Sequence, residues 1–436
     1  MTESETIQAA QTSSFFKTSK RNMHILNLSE GVSAFGTSIF TFAAGLYVLR
    51  QTGSGTSYAL TLCMNILAVL LMTPISGLMA DFFSKKKLLL ICDFFSGLSL
   101  LILSFILIGQ PKRFPIIFIY VITFFLNAIA NLYNVTLESA KSELVEKDFL
   151  LSLNSVQKIL DALSGTIAPV LGGIVFAIFP FPVFLLFDGI TFFFSACCKY
   201  FLIFSNRSFQ KEDISTFSKG KSSVSLFSQW KEGILYIQQN SFIRSLFSIL
   251  LFYNIFLSFS ITVPVPYYIT TALQLSSQTL GFVEGFFTFG IITGSIFISK
   301  VSNKFTVKES IRFSFIGSAF CMLGFFLLNY VNLISSTSFT TANIRIVLMC
   351  FLMFLLGNCI SWIDIPLFME LQLKIPAYIR GRVFSQGLCI IKLFTPLALL
   401  LSGVCLNHVT PYPLFFAGFL GLSCFLLYSV FHSLFK

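Results

Sequence analysis

Long apolar stretches alternate with short polar segments along the whole chain. A membrane-crossing helix needs roughly 20 mainly apolar residues, and these stretches are long enough. The pattern predicts twelve spans, at 24–49, 57–80, 87–109, 114–138, 154–178, 182–205, 242–268, 277–299, 309–330, 344–368, 383–406 and 413–434. We therefore expect an all-α membrane protein with twelve transmembrane helices.

The composition agrees with a membrane protein. Of the 436 residues, 55% are hydrophobic and 11% are charged, whereas soluble domains carry about 25% charged residues. The net charge of +11 would suit nucleic-acid binding, but most of the basic residues lie in loops between spans, and Lys199 and the triple lysine Lys85–Lys87 are assigned to the cytoplasmic side. Basic loops stay in the cytoplasm. The pattern therefore predicts two cytoplasmic termini and no nucleic-acid partner.

An approximate internal repeat indicates two pseudo-symmetric halves of six spans. A basic loop follows Gly77 in the first half and Gly294 in the second, each time between the second and third spans of that half. Parallel halves around a central site are a transporter design. The predicted divisions are a disordered cytoplasmic tail at 1–22, a six-helix bundle at 23–205, a cytoplasmic interdomain loop at 206–240 and a second six-helix bundle at 241–436.

Polar residues recur at helical spacing on the first and fourth spans of each half, which puts them on one face of each helix. They are Glu30, Ser33, Thr37 and Thr41; Asn127, Asn131, Asn134 and Glu138; Asn254, Ser258 and Thr262; and Asn358, Ser361 and Asp364. A polar side chain that faces lipid is costly. We therefore predict that these faces line a substrate cavity or pack inside the bundle. For a single Ser or Thr, hydrogen bonding within or between helices is the simpler interpretation.

Charged residues well inside the spans are few, namely Glu30, Asp93, Asp188, Glu284 and Lys392. A carboxylate in a low-dielectric medium takes up a proton more readily than in water, as proton coupling requires. Glu30 and Glu284 are the predicted coupling residues. Lys392 is predicted to line the cavity, and a buried ion pair between Glu30 and Lys392 is the structural alternative. Asp93 and Asp188 are interpreted as helix-packing acids.

Two motifs resemble those of the Major Facilitator Superfamily. Gly77-x-x-x-Asp81 followed by Lys85 and Lys86 is similar to the signature loop after span two, and Ala168-Pro169-x-x-Gly172-Gly173 is similar to the span-five motif of antiporters. Four further features resemble the macrolide-efflux-like branch of drug:proton antiporters: Asp93, Phe187-Asp188-Gly189, Pro264-x-Pro266-Tyr267 and Gln372-x-x-x-Pro376-x-x-x-Arg380-Gly381-Arg382. Departures from the family pattern are Phe82, Ser84, Ala168 and Ile298.

The resemblance implies a transporter that alternates access to a central cavity by rocking two bundles. It also implies a conformational gate, in which Asp81 faces the start of span eleven near Arg382 and braces the two halves. The gate residues are then Gly77, Asp81, Lys85, Lys86, Pro169, Gly172, Gly173, Arg380 and Arg382.

The predicted function is secondary active transport in the cytoplasmic (inner) membrane by a monomer. The main hypothesis is proton-coupled efflux of a small amphipathic or aromatic compound, such as a drug, siderophore or metabolite. The alternatives are uptake of a nutrient or lipid by symport and a non-transporting membrane sensor. An enzyme is not expected, because His24, His408 and His432 lie far apart and form no catalytic set. Neither metal-like cysteine spacing nor a nucleotide-binding loop is visible. The predicted partners are lipid, protons and a small-molecule substrate, with an ion gradient and no cofactor.

Overall fold

The structure, a computed structural model, describes residues 3–109, 116–204, 234–301, 305–328 and 338–431. Within these ranges the chain is helical, without strands, and twelve long helices follow one another. They are α1 (Glu3–Thr52), α2 (Gly55–Phe82), α3 (Lys85–Gly109), α4 (Ile117–Leu144), α5 (Lys147–Ile178), α6 (Phe181–Tyr200), α7 (Ser241–Ala272), α8 (Ser277–Val301), α9 (Val307–Leu327), α10 (Ser338–Lys374), α11 (Ala377–Leu406) and α12 (Tyr412–Phe431).

Each predicted span falls on one of these helices to within a few residues. In the described ranges, ten helices contain a segment long and apolar enough to cross a membrane, and two shorter apolar segments, Ile167–Ile178 and Tyr412–Leu427, lie on α5 and α12. The prediction of an all-α membrane protein is confirmed. Several helices continue past the apolar segment, because backbone hydrogen bonds extend a helix into the polar region as readily as through lipid.

Helix α1 begins at Glu3, whereas the sequence predicted a disordered tail over 1–22. The end of that segment is fixed by hydrogen bonds. Asn22 Nδ2 donates to the carbonyl oxygens of Leu144, at 2.8 Å, and Ile203, at 2.7 Å. Asn22 Oδ1 accepts from the Ile203 N–H at 3.2 Å. The sequence does not indicate these bonds, because the free carbonyls at a helix end become partners only after the helices have packed.

Asn22→Ala is expected to lower the free energy of unfolding by about 1–3 kcal/mol, because buried carbonyl groups lose their donor. Asn22→Asp keeps the size of the side chain but removes both N–H donors, so it should destabilise the protein as well. The melting temperature of the purified protein measures both effects. Ser99→Ala, at a partly exposed position on α3, is the control, and melting temperatures of both Asn22 variants equal to that of the wild type would exclude the role given to Asn22.

The residues form two units by their internal contacts. The first unit contains Met1–Ala44, Leu67–Ala168 and Ile178–Ser223, and the second contains Gly45–Ile66, Pro169–Ala177 and Val224–Lys436. This division differs from the predicted bundles at 23–205 and 241–436, because two short segments of the first half group with the second half.

The segment Gly45–Ile66, which joins α1 to α2, packs inside the second unit. Tyr58 shares an apolar cluster with Leu399 on α11. Asn407, just after α11, donates from Nδ2 to Thr56 Oγ1 at 2.8 Å. Asn407 and Thr56 are 351 positions apart in the sequence, so no local pattern indicates that they are in contact.

Helix α7 is irregular in its second half. It changes to π geometry at Ser258–Thr262 and again at Tyr268–Ala272, on either side of Pro264 and Pro266. A proline lacks the N–H donor and clashes with the preceding turn. The proline pair noted in the sequence therefore accounts for the interruption, and π turns of this kind are frequent in helices that carry a function.

Candidate functional site

A cavity of about 280 Å³ lies among α1, α3, α4, α5 and α6 of the first unit. Much of its wall is apolar, with Phe40, Leu100 and Phe192 among its members. The ionisable and hydrogen-bonding residues of the lining are Glu30, Ser33, Thr37, Ser38, Asp93, Ser96, Tyr133, Asn134, Ser164 and Asp188. An apolar wall with a few polar groups is typical of a small-molecule site. Over the described ranges, no group of three or more His, Cys, Asp or Glu is placed to hold a metal ion.

Lys199, near the end of α6, is the centre of a buried ionic cluster. Its Nζ lies 2.8 Å from Asp93 Oδ2 and 3.2 Å from Glu30 Oε1, and 4.2 Å from the centroid of the Tyr133 ring. The Tyr133 hydroxyl donates to Glu30, and Ser195 Oγ donates to Asp93 Oδ2 at 2.9 Å. Only 1% of the Lys199 side chain is exposed. A buried ammonium group needs such partners, because an unpaired ion is very costly in a low-dielectric medium.

The prediction that counted Lys199 with the basic cytoplasmic segments is wrong, because the lysine lies inside α6, which ends at Tyr200, and its side chain is buried in the helix packing. A signal was present in the sequence. Lys199 follows Ser195 by four residues and Asp188 by eleven, so the three side chains share one face of a helix. Asp93, predicted as a packing acid, is a counter-ion of Lys199.

Glu30 joins this cluster to a second cavity. The buried ion pair suggested for Glu30 with Lys392 is formed with Lys199 instead. A cavity of about 150 Å³, lined by polar side chains that include Glu138 and Gln157, also reaches Glu30. Glu30 therefore contacts two cavities of the first unit, one with a largely apolar wall and one with a largely polar wall.

Some of the residues predicted for the substrate cavity of the first half line the larger cavity, and others do not. Those that line the larger cavity are Ser33, Thr37 and Asn134. Thr41 and Asn127 lie outside that lining and donate within their own helices, to the carbonyl oxygens of Thr37 at 2.9 Å and Thr123 at 2.7 Å. Contact of all five with a substrate stays a prediction.

Asn131 and Asn358 join pairs of helices. Asn131 on α4 accepts from Ser76 Oγ at 3.0 Å and donates to Thr73 Oγ1 at 3.3 Å, both on α2. Asn358 on α10 donates to Thr293 Oγ1 on α8 at 3.3 Å. The two arrangements correspond, because α8 and α10 are the second and fourth helices of the second half. Hydrogen bonds of this kind between membrane helices contribute about 0.6 kcal/mol on average.

The other predicted residues of the second half are placed as follows. Ser361 donates to a carbonyl oxygen of α8 at 2.7 Å, and Asn254 donates to a carbonyl oxygen of its own helix at 3.0 Å. Ser258 is buried in the first π turn of α7. Lys392 is exposed on α11, and Glu284 is half-buried on α8. Their roles in substrate binding and proton coupling stay predictions.

The predicted gate residues around the first basic loop anchor helix ends within the first unit. Lys85 Nζ lies 2.5 Å from Glu143 Oε1, and Lys86 Nζ donates to the Leu202 carbonyl oxygen at 2.8 Å. A Cβ atom at Gly77 would meet nothing within 4 Å. The gate residues whose side chains lie outside the described part of the chain are Asp81, Arg380 and Arg382. The brace through Asp81 therefore stays a prediction.

The span-five motif lies where α5 meets α8 in the second unit. Gly173 approaches α8 so closely that a Cβ atom there would fall 2.6 Å from the Ser277 carbonyl oxygen. Gly281 approaches the Pro169 carbonyl oxygen more closely still, and Gly172 is buried beside them. Small residues allow the backbones of membrane helices to touch. Any side chain at Gly173 or Gly281 would force the two helices apart.

Together the fold and the site define a class of protein. Long apolar helices, matching bonds between helices in the two halves and a cavity with ionisable walls are features of a secondary transporter. The chain belongs to the Major Facilitator Superfamily, whose sequence profile matches residues 26–390. Members of this family are transporters of small molecules in membranes and in general are neither enzymes nor dependent on a cofactor.

Solved transporter structures share the fold. A bacterial homologue of the iron transporter ferroportin in an inward-facing state has a TM-score of 0.66 and 17% identity, covering 93% of this chain and 98% of that one. The nucleoside transporter NupG has a TM-score of 0.62 and 14% identity, covering 95% and 99%. The xylose transporter XylE from E. coli, inward open, has a TM-score of 0.61 and 14% identity, covering 93% and 94%. No curated protein matches the chain significantly by sequence.

Proposed function

We propose that this member of the superfamily exports a small amphipathic or aromatic compound in exchange for protons, as a drug:proton antiporter of the macrolide-efflux-like branch. It acts as a monomer in the cytoplasmic membrane, with both termini in the cytoplasm. One observation carries the proposal: Glu30 contacts both cavities of the first unit and also belongs to the buried cluster around Lys199.

Protonation of Glu30 changes the charge of this cluster. Ionised Glu30 and Asp93 both pair with Lys199, whereas protonated Glu30 leaves Lys199 to Asp93 alone. The Tyr133 hydroxyl, which donates to Glu30, can keep this bond through the carbonyl oxygen of the acid, but the bond is weaker because the acceptor is no longer charged. Proton uptake therefore weakens the contacts of Glu30 with Lys199 and Tyr133 in one wall of the larger cavity. One charge that crosses 100 mV is worth about 2.3 kcal/mol, which suffices to drive accumulation.

The smaller cavity supports a route for the proton. Its volume of about 150 Å³ admits several waters, since one water occupies about 30 Å³ in the liquid. Asn134 and Gln157 are in its lining, and their amide groups can donate to water and accept from it. Glu138 is exposed and pairs with Lys141 at 2.5 Å near the end of α4. Because that helix end is predicted to be cytoplasmic, water in this cavity would connect Glu30 with the cytoplasm.

The wall of the larger cavity supports an amphipathic cargo. Phe40, Leu100 and Phe192 offer apolar surface, and Ser33 and Asn134 offer hydrogen bonds. The volume of about 280 Å³ is close to the lower end of the range for sites that bind small organic ligands. Both properties favour a small compound with an apolar body and a few polar groups.

Glu30→Gln should abolish accumulation driven by a pH gradient while leaving counterflow of cargo intact. Glutamine keeps the size of the side chain and its hydrogen-bond acceptor for Tyr133, but it has no proton to exchange. The measurement uses purified protein in liposomes, a panel of fluorescent aromatic compounds, and flux with and without an imposed gradient. Movement of the compound in the same direction as the protons, down the proton gradient, would indicate uptake by symport in place of export.

Glu309→Gln is the matched control, because Glu309 lies at the exposed start of α9 in a capping box that glutamine also satisfies. Glu284→Gln tests the second predicted coupling residue in the same assay. Gradient-driven flux that persists in Glu30→Gln would show that another residue couples the proton. If the wild-type protein moved none of the compounds in the panel, the proposal that it transports them would be wrong.

A further inference from the structure

Asp188 on α6 is a buried carboxylate for which the described residues supply no cation. It is 3% exposed, and its Oδ2 has no hydrogen-bond partner within the described part of the chain. Its Oδ1 receives a long contact of 3.4 Å from Thr191 Oγ1. A buried carboxylate that stays ionised needs a positive partner or a full set of donors, because its desolvation is otherwise uncompensated. A group from outside the chain can supply that partner.

Asp188 lies in the wall of two hollows of the first unit. One is the larger cavity described above, and the other is a groove of about 390 Å³ between α1 and α6. The groove is lined by apolar residues and glycines apart from Asp188 and Thr191, and the members with the largest side chains are Phe35, Ile39, Phe184 and Phe187. A carboxylate set in apolar surface on two sides suits a ligand that is charged at one point and apolar elsewhere.

Among the described residues, the charges around the larger cavity leave Asp188 as the acid without a counter-ion. Three carboxylates, those of Glu30, Asp93 and Asp188, line the cavity. Lys199 pairs with Glu30 and Asp93. The described residues thus place one positive charge beside three acids, and the pairing already uses it.

Gly36 on α1 leaves the space that the Asp188 carboxylate occupies. A Cβ atom at Gly36 would collide with Asp188 Oδ1. Glycine is therefore required if the carboxylate is to keep this position, and the next side chain along α1 that lines the cavity is Thr37.

We propose that Asp188 binds the positive group of the cargo, and that the cargo is a monovalent organic cation with an aromatic or aliphatic body. This inference rests on the proposed function, because it takes the larger cavity of the first unit as the cargo site. Phe40 and Phe192 line the same cavity, and aromatic faces attract organic cations. Asp188 is then the residue that sets the charge preference of the transporter.

Equilibrium binding tests the proposal without any gradient. The probe is benzyltrimethylammonium, and N,N-dimethylbenzamide is its neutral counterpart of similar size; both are titrated calorimetrically into the purified full chain. Asp188→Asn is expected to weaken binding of the cation about tenfold or more, because a charge-assisted contact is lost. Binding of the amide should stay within about twofold. Glu370→Gln on α10, in the second unit, removes a charge elsewhere and should leave both affinities within about twofold.

Gly36→Ala provides a second test, because it keeps the carboxylate but displaces it. Weaker binding of the cation with unchanged binding of the amide is expected there too, and this variant decides the matter if Asp188→Asn does not elute as a single folded species. Wild-type affinity for the cation in both variants would overturn the proposal. So would a wild-type protein that binds the amide as tightly as the cation. The binding experiment uses no proton gradient. If the flux assay showed no proton coupling, the binding results would still be valid, so the failure of one proposal can be distinguished from the failure of the other.

Discussion

Lys199→Met is expected to destabilise the protein by about 3–5 kcal/mol, the usual cost of removing one partner of a buried ion pair. Methionine fills a similar volume but leaves Asp93 and Glu30 without their cation. Asp93 is the more serious case, because its side chain is only 4% exposed, whereas that of Glu30 is 15% exposed and faces two cavities. The loss of the ammonium group over the Tyr133 ring adds to the effect.

The double variant Lys199→Met with Asp93→Asn separates charge from packing. If the cost comes from an uncompensated carboxylate, the double variant should regain much of the stability lost in Lys199→Met, since it leaves no unpaired ion at Asp93. Thermal unfolding in detergent measures all three proteins. Lys308→Met, at an exposed position of α9, is the control. Equal melting of Lys199→Met and the wild type would mean that the cluster contributes nothing to stability.

Gly281→Ala is expected to separate the end of α5 from α8 in the second unit. The added methyl group would lie much closer to the Pro169 carbonyl oxygen than van der Waals contact allows. That oxygen belongs to the backbone, so it cannot move away by a change of rotamer as a side-chain atom can. Overpacking of this kind costs about 1–3 kcal/mol. If the transporter alternates access, this contact holds one of its states. The variant should therefore populate the state in which the contact is open and transport more slowly.

Cysteine labelling tests whether this opening extends to the contact between α2 and α11. Cys63 is buried in the second unit, and its Sγ lies 3.5 Å from the Pro396 carbonyl oxygen. In a chain whose other cysteines are replaced, Gly281→Ala should raise the rate at which a maleimide modifies Cys63. Gly109→Ala, at the exposed end of α3, is the control, since a Cβ atom there would meet nothing within 4 Å. Equal labelling rates in the wild type and Gly281→Ala would contradict a role for this contact in gating.

Partner residues illustrate the limit of prediction from sequence. The polar stripe on α1 was visible from spacing alone, and Glu30, Ser33 and Thr37 do line a cavity. Lys199 was counted with the basic cytoplasmic segments because a lysine near a span end is normally cytoplasmic. In the packed unit the same lysine is held by acids from α1 and α3. Spacing shows which face of one helix is polar, and not which helix lies opposite.

The sequence by itself determined the number and order of the spans, the all-α class, and the family, because apolar length, loop charge and short motifs are properties of single segments. Tertiary structure alone decided the partners of Lys199, the carbonyls bonded by Asn22, the placing of Gly45–Ile66 with the second unit, and the burial of Asp188 with no cation supplied by the described part of the chain. The physical reason is that these depend on contacts between helices far apart in the chain. Such contacts form only when whole faces pack, and many different pairings satisfy the same hydrophobic pattern.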